Sequence, residues 1–278
     1  MSVIDEVYEP EGELITVKNL SFYYQPINSK SASEPIFENL NFNIYRGEFI
    51  CVMGESGCGK STLLNLLAGF ENPTSGQVLL DDKEIKGIDK NRGVVFQKPP
   101  LYGWYSVREN VAFGPTVQNW PKDKIKEQVD YFLKKVGLEN EGEKKVFELS
   151  GGMKQRAAIA RALVTNPEIL LMDEPFGALD ALTRETMQKM LRDIWYTSGK
   201  TIFFITHDVD EALQLATRVI VLGKNPGRIV ADIPLTFSRS IVEDNSNKKI
   251  YSEEFFNYRE KILDLISIRN NYPVELSI

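Results

Sequence analysis

Residues 54–62 read GESGCGKST. Gly54, Glu55, Ser56, Gly57, Cys58, Gly59, Lys60 and Ser61 fit the pattern G-x-x-x-x-G-K-[ST]. Glycines at such spacing let successive backbone N–H groups curl around a polyphosphate, where a Cβ would clash or forbid the backbone angles. Lys60 is suited to reach the β- and γ-phosphates, the Ser61 hydroxyl to ligate Mg²⁺, and Thr62 to support the α-phosphate. A second anion cradle lies at 149–160, LSGGMKQRAAIA. There Ser150, Gly151 and Gly152 open a helix carrying Lys154, Arg156 and Arg161. Free N–H groups at a helix start, with the helix dipole behind them, favour a bound anion.

Further residues suit the same chemistry. EILLMDE at 168–174 reads as a buried strand ending in two acids. Asp173 is placed to hold Mg²⁺ through water. Glu174, one residue beyond and free of the metal, is the better general base for an attacking water. The only histidine, His207, follows a buried strand in FFITHD, and its ring suits a hydrogen bond to the γ-phosphate. Gln97 ends the strand GVVFQ, where its amide suits Mg²⁺ or the attacking water.

These residues need elements to hold them. Strand-like runs occupy 14–24, 42–53, 77–81, 93–96, 168–172, 201–206, 219–222 and 229–233. The glycine loop sits between the second of these and the helix STLLNLLAGF, whose Leu63, Leu64, Leu66 and Leu67 share one broad face. The stretch 98–165 has almost no strand signal. Ser106 and Glu109 have capping-box spacing, Pro121 suits a helix's first turn, and Ile125, Val129, Phe132, Leu133 and Val136 line one helical face. An α/β chain is thus interrupted by a helical insert. QPINSKSASEP (25–35) reads as a polar loop, and 1–12 as a flexible acidic leader. From 236 the tail carries one helical pattern, with Phe255, Ile262, Leu265 and Ile266 docking on the domain's own surface.

The chain has 278 residues, a net charge of −6 and two cysteines. That length buries a core without staples, and Cys51 and Cys58 are poorly placed to pair, which fits a reducing compartment. Cys58, near a helix N-terminus, is expected to have a lowered thiol pKa. The acidic balance argues against nucleic acid as a partner. No apolar run approaches the ~18 residues of a membrane span.

GESGCGKST, VVFQ, LSGGMKQR, ILLMDEP, GALD and ITHD, in this order and spacing, resemble the ATP-binding subunit of an ABC transporter over about residues 14–235. The resemblance implies a P-loop NTPase (RecA-like) α/β core with an N-terminal antiparallel β subdomain and an inserted α-helical subdomain at about 98–165. The ATPase domain would span 13–235, with a C-terminal helical extension over 236–278. It implies ATP and Mg²⁺ as ligands and ATP hydrolysis coupled to transport, a translocase activity. It also answers why there are two cradles. Two copies pack head to tail, and Ser150, Gly151 and Gly152 of one contact ATP held by the loop of the other. Asp180 lies in the segment linking the two sites. Tyr24 sits where the family stacks an aromatic on adenine, with Tyr23 the competing choice.

Further partners implied are transmembrane permease subunits and, indirectly, a solute-binding protein, with the chain peripheral on the cytoplasmic side of the membrane. KPPLYGWYSV, with Trp104 and Tyr105, offers aromatics for a permease helix. LYGW and VLGKNPGRIV resemble segments of subunits importing nitrate, sulfonate, taurine or related small compounds. The rival readings are a soluble non-transport ABC ATPase and an exporter subunit.

Overall fold

The computed structural model describes residues 12–24, 34–243 and 252–267. The leader, most of the 25–35 loop and parts of the C-terminal tail therefore lie outside the described residues. The chain forms two compact units, Met1–Gly87 with Ile205–Ile278, and Ile88–Phe204.

In the first unit, β1 (Glu13–Phe22) pairs antiparallel with both β2 (Phe37–Tyr45) and β4 (Ser75–Leu80), and the short β5 (Lys83–Glu84) pairs with β4. A second set runs β10 (Arg228–Pro234), β9 (Arg218–Gly223), β3 (Phe49–Gly54). β3 and β9 are parallel and β9 and β10 antiparallel. Phe49 to Met53 are all buried. A continuous apolar run is what a strand covered on both faces requires. Helix α1 (Lys60–Ala68) follows β3 and buries Leu63, Leu64, Leu66 and Leu67, each contributing about 1.5–3 kcal/mol by leaving water.

The run 42–53 is two strands rather than the one expected. Tyr45 accepts from the Glu48 N–H at 3.2 Å, and Gly47 turns the chain at φ 68°. β2 also begins earlier, at Phe37, and β5 escapes a sequence reading because two exposed residues carry no pattern. Helix α6 (Val209–Leu215) precedes β9. The tail holds two helices where one was expected, α7 (Phe237–Glu243) and α8 (Glu253–Ser267). Phe255 and Ile262 of α8 are buried. Phe255 meets Phe237 at 5.3 Å between ring centroids, and Arg259 pairs with Asp210 of α6 at 2.9 Å. The tail helix thus docks on its own unit.

In the second unit, β6 (Arg92–Val95) and β7 (Ile169–Asp173) are parallel, and β8 (Thr201–Ile205) lies beside β7. The described residues between 98 and 165 form α2 (Val107–Val117), α3 (Lys122–Lys135) and α4 (Gly151–Leu163), with a single 3₁₀ turn at Val146–Glu148. The Ser106–Glu109 capping box is present. Pro121 stands just before α3 rather than in its first turn. Val129, Leu133 and Val136 are buried, with Ile125 and Phe132 partly so. Helix α5 (Ala181–Ser198) follows β7.

Candidate nucleotide site

In the first unit, β3 delivers the glycine loop and α1 receives it. Gly54 has φ 149°, and a Cβ there would stand 2.4 Å from the Leu222 carbonyl oxygen. Gly59 caps α1 at φ 100°, and a Cβ would meet the Phe37 ring at 2.5 Å. The loop must therefore lie as bare backbone against β9 and β2. Lys60 Nζ donates to the carbonyls of Gly54 and Glu55 at 2.8 and 2.9 Å, drawing the loop's first turn around its ammonium group. The Glu55 carboxylate pairs with Lys224 at 2.5 Å. Its side chain thus braces the loop. Ser56, Gly57 and Ser61 are exposed.

Cys58 corrects an expectation. Its thiol pKa is raised, not lowered, because burial disfavours the thiolate more than the neighbouring Lys60 favours it. Burial also raises that of Cys51, and neither cysteine forms a disulfide.

Tyr24 is half exposed and its hydroxyl lies 3.3 Å from Thr62 Oγ1, within hydrogen-bond reach. Tyr23 instead ties its backbone N–H to Thr74. Of the two, Tyr24 is the one brought to the loop's helix. His207 is exposed. The residue before it, buried Thr206, accepts from the Asp208 N–H at 3.1 Å and donates to Glu211. The Thr206 N–H points to the Val52 carbonyl at 3.5 Å, which ties His207 to the strand feeding the loop.

In the second unit, β6 and β7 end side by side. Gln97 Nε2 donates to Glu174 Oε2 at 2.9 Å. Asp173 is the last residue of β7 and half-buried. Glu174 follows at φ 43°, in the left-handed region that ordinary residues avoid. Ser150 caps α4 and accepts from the Met153 N–H at 3.2 Å. Gly151 is exposed, and a Cβ on it would meet nothing within 4 Å. Gly152 lies against Leu179, whose Cδ2 is 3.3 Å from a built Cβ. Asp180 caps α5 through the Thr183 N–H at 3.0 Å, and that bond holds its carboxyl below the usual range.

Three polar residues of this unit were not singled out for these contacts by sequence reading. Asn110, fully buried, accepts from the Tyr102 N–H and donates to the Tyr102 carbonyl. Arg161 donates to the Pro100 carbonyl at 3.0 Å and stands over the Tyr102 ring. Gln155 donates to the Phe96 carbonyl at 3.2 Å. The available signal was a polar side chain at a helix position otherwise set for the core. Asn110 and Arg161 thus both hold Tyr102, a member of a cluster with Trp104, Tyr105 and Phe113 in which Trp104 is 72% exposed.

A strand–glycine loop–helix cradle with an anchored lysine, in an α/β fold whose β7 ends in paired acids, defines a P-loop nucleotide-binding protein. The ABC transporter family profile matches residues 37–177. The chain is 46% identical over 252 residues to the taurine import ATP-binding protein TauB of Roseobacter denitrificans, covering 91% of this chain and 93% of the relative. Among solved structures, it is similar to a dimeric post-hydrolysis ATP-binding cassette bound to ADP and Pi. There the TM-score is 0.73 and identity 32%, covering 80% of this chain and 99% of the other. It is also similar to cbiO1 from Clostridium perfringens, part of the ABC transporter complex cbiONQ (TM-score 0.70, 29% identity, 91% and 100% covered). The chain belongs to the ABC transporter family.

Proposed function

We propose that this chain is the ATP-hydrolysing subunit of an ABC importer, working as half of a head-to-tail pair to drive a small sulfonate-like anion through a separate permease. ATP binding and hydrolysis are the family's activity, and the relatives named for taurine import support the importer reading. The solute class rests on those relatives, because the ATPase residues themselves read only nucleotide. No helix among the described residues is long and apolar enough to cross a membrane, and the separate permease is inferred from the relatives' import naming. The ATPase domain is assigned to 13–235, with its helical part at about 98–165 and the extension at 236–278.

The roles follow from chemistry. Backbone N–H groups of 54–59, with Lys60 and Thr62, bind the polyphosphate, and Tyr24 stacks on the base. Water attacks the γ-phosphorus while Glu174 takes its proton, and the bond from that phosphorus to the bridging oxygen breaks, giving ADP and phosphate. Gln97 orients the water, and His207 donates to a γ-phosphate oxygen. The donor set Ser61 hydroxyl, Asp173 carboxylate and Gln97 amide is all hard oxygen, which fits Mg²⁺. When bound, that ion neutralises phosphate charge. Ser150, Gly151 and Gly152 serve the partner's ATP, with Asp180 between the two sites. Loss of the γ-phosphate removes the contact that favours the closed pair, and the pair opens.

The observation that carries this reading is the start of α4. It presents a capped, glycine-lined turn to solvent at Gly151, where a built Cβ would meet nothing within 4 Å. The test is hydrolysis per chain against chain concentration, with Ser150→Arg beside the parent. Specific activity is expected to rise as pairs form. Ser150→Arg should bind nucleotide normally and fail to hydrolyse it. A flat concentration dependence, or a large loss of affinity in Ser150→Arg, overturns the paired site.

A further inference from the structure

Gln155 lies on α4, five residues past its capping serine, and has no exposed surface. Ala157, Ala158 and Ile159 beside it are buried as well. Its Nε2 donates to the Phe96 carbonyl, while its Oε1 is buried with no partner among the described residues. A buried acceptor left unpaired disfavours the fold, and an apolar side chain of the same size would avoid it. Packing alone therefore gives no reason for glutamine here.

The group it holds gives one. The Phe96 carbonyl belongs to the peptide unit whose nitrogen is that of Gln97. The six atoms of that unit are coplanar. Fixing the oxygen fixes the plane from which the Gln97 side chain departs, and that side chain meets Glu174 at 2.9 Å. An unbroken series runs from α4 through Gln155 and the 96–97 peptide to Gln97 and Glu174. All of it lies within the second unit.

We propose that Gln155 is a positioning residue for hydrolysis and links the two nucleotide sites of a pair. α4 opens on the partner's phosphate and, through Gln155, sets the Gln97–Glu174 geometry of its own chain. A shift of α4 on engaging the partner's nucleotide is passed to the chain's own base by one hydrogen bond. The inference rests on the hydrolytic roles given above to Gln97 and Glu174 and on the trans role of the α4 start.

The test uses the full chain with Gln155→Leu and, as a second apolar substitution of similar length, Gln155→Met. Either is expected to lower kcat about 10–100-fold, the scale of an ångström-sized misplacement, with ATP affinity within about twofold of the parent. In a Gln97→Ala background the same change should cost nothing further, since its effect passes through Gln97. Gln155→Glu adds a readout that simple destabilisation does not move. Its carboxylate offers the Phe96 carbonyl no donor, but the neutral acid does. Its activity relative to the parent should therefore rise as pH falls from about 8 to about 6, burial having raised that carboxyl's pKa. Unchanged kcat in the apolar variants, additive losses in the double variant, or a flat relative pH profile overturns the inference. If Gln97→Ala and Glu174→Gln themselves keep full kcat, the site assignment fails first, and this inference with it.

Discussion

The amide of Gln97 and the carboxylate of Glu174 meet at 2.9 Å, joining the ends of two parallel strands. The acid is thus held where its strand ends, in part by a neutral amide donor. In Glu174→Gln the new side chain still offers an oxygen to Gln97, so local geometry should persist. Hydrolysis is expected to fall by about 10²–10⁴, the share of a positioned base, while equilibrium ATP binding is retained. Size-exclusion chromatography with ATP should show a stabilised pair. Turnover near the parent rate would show that another group is the base.

Gly59 and Gly151 both stand at helix starts but answer to different constraints. Gly59→Ala forces a Cβ to 2.5 Å from the buried Phe37 ring at a φ of 100°. It should lower the melting temperature and weaken ATP binding at least about tenfold, an effect of the size expected from strain plus overpacking. Gly151→Ala meets open space, and alanine favours the helix by about 1 kcal/mol. Its melting temperature should hold or rise while hydrolysis falls. Thermal scans beside ATPase assays separate the two.

Cys58 is predicted to alkylate slowly at neutral pH. The thiolate is the reactive form, and burial raises the thiol's pKa. The rate of iodoacetamide labelling should therefore climb only above the range of an ordinary cysteine. Lys60→Ala removes a cation that favours the thiolate and should move the profile higher still. Bound ATP should slow labelling further. A profile at or below that of a free cysteine would contradict the dominance of burial.

Trp104 is the exposed member of an aromatic cluster held from beneath by Asn110 and Arg161. Trp104→Ala removes an exposed contact without opening the core. In the isolated chain, ATPase activity and melting temperature should stay close to those of the parent. In a reconstituted transporter, solute uptake per ATP should fall severalfold, as expected for an aromatic anchor at an interface. Normal uptake would place the permease contact elsewhere.

Much of this was legible in the chain's order of residues because it is local. The phosphate loop is contiguous, and the runs FICVM, ILLM and TIFFI have only one way to be buried. The leucine face of α1 and the Ser106–Glu109 box also depend on near neighbours. What escaped depends on distance along the chain. Gln155 meets a residue 59 positions away, and no helical period announces such a partner. The Cys58 error had the same origin: the helix start beside it was visible, whereas the burial that outweighs it comes from the fold. The turn at Arg46–Gly47 was missed for another reason, since apolar strand residues on both sides concealed the break.

Glu174 sits at φ 43°, a backbone setting that glycine enters freely and asparagine tolerates. The side chain proposed here as the general base is therefore also a locally strained choice. A thermostability screen run without an activity counter-selection should enrich glycine at this position. In duplicated copies released from selection for turnover, position 174 should be among the first to drift, leaving heat-tolerant subunits that grip ATP and never let it go.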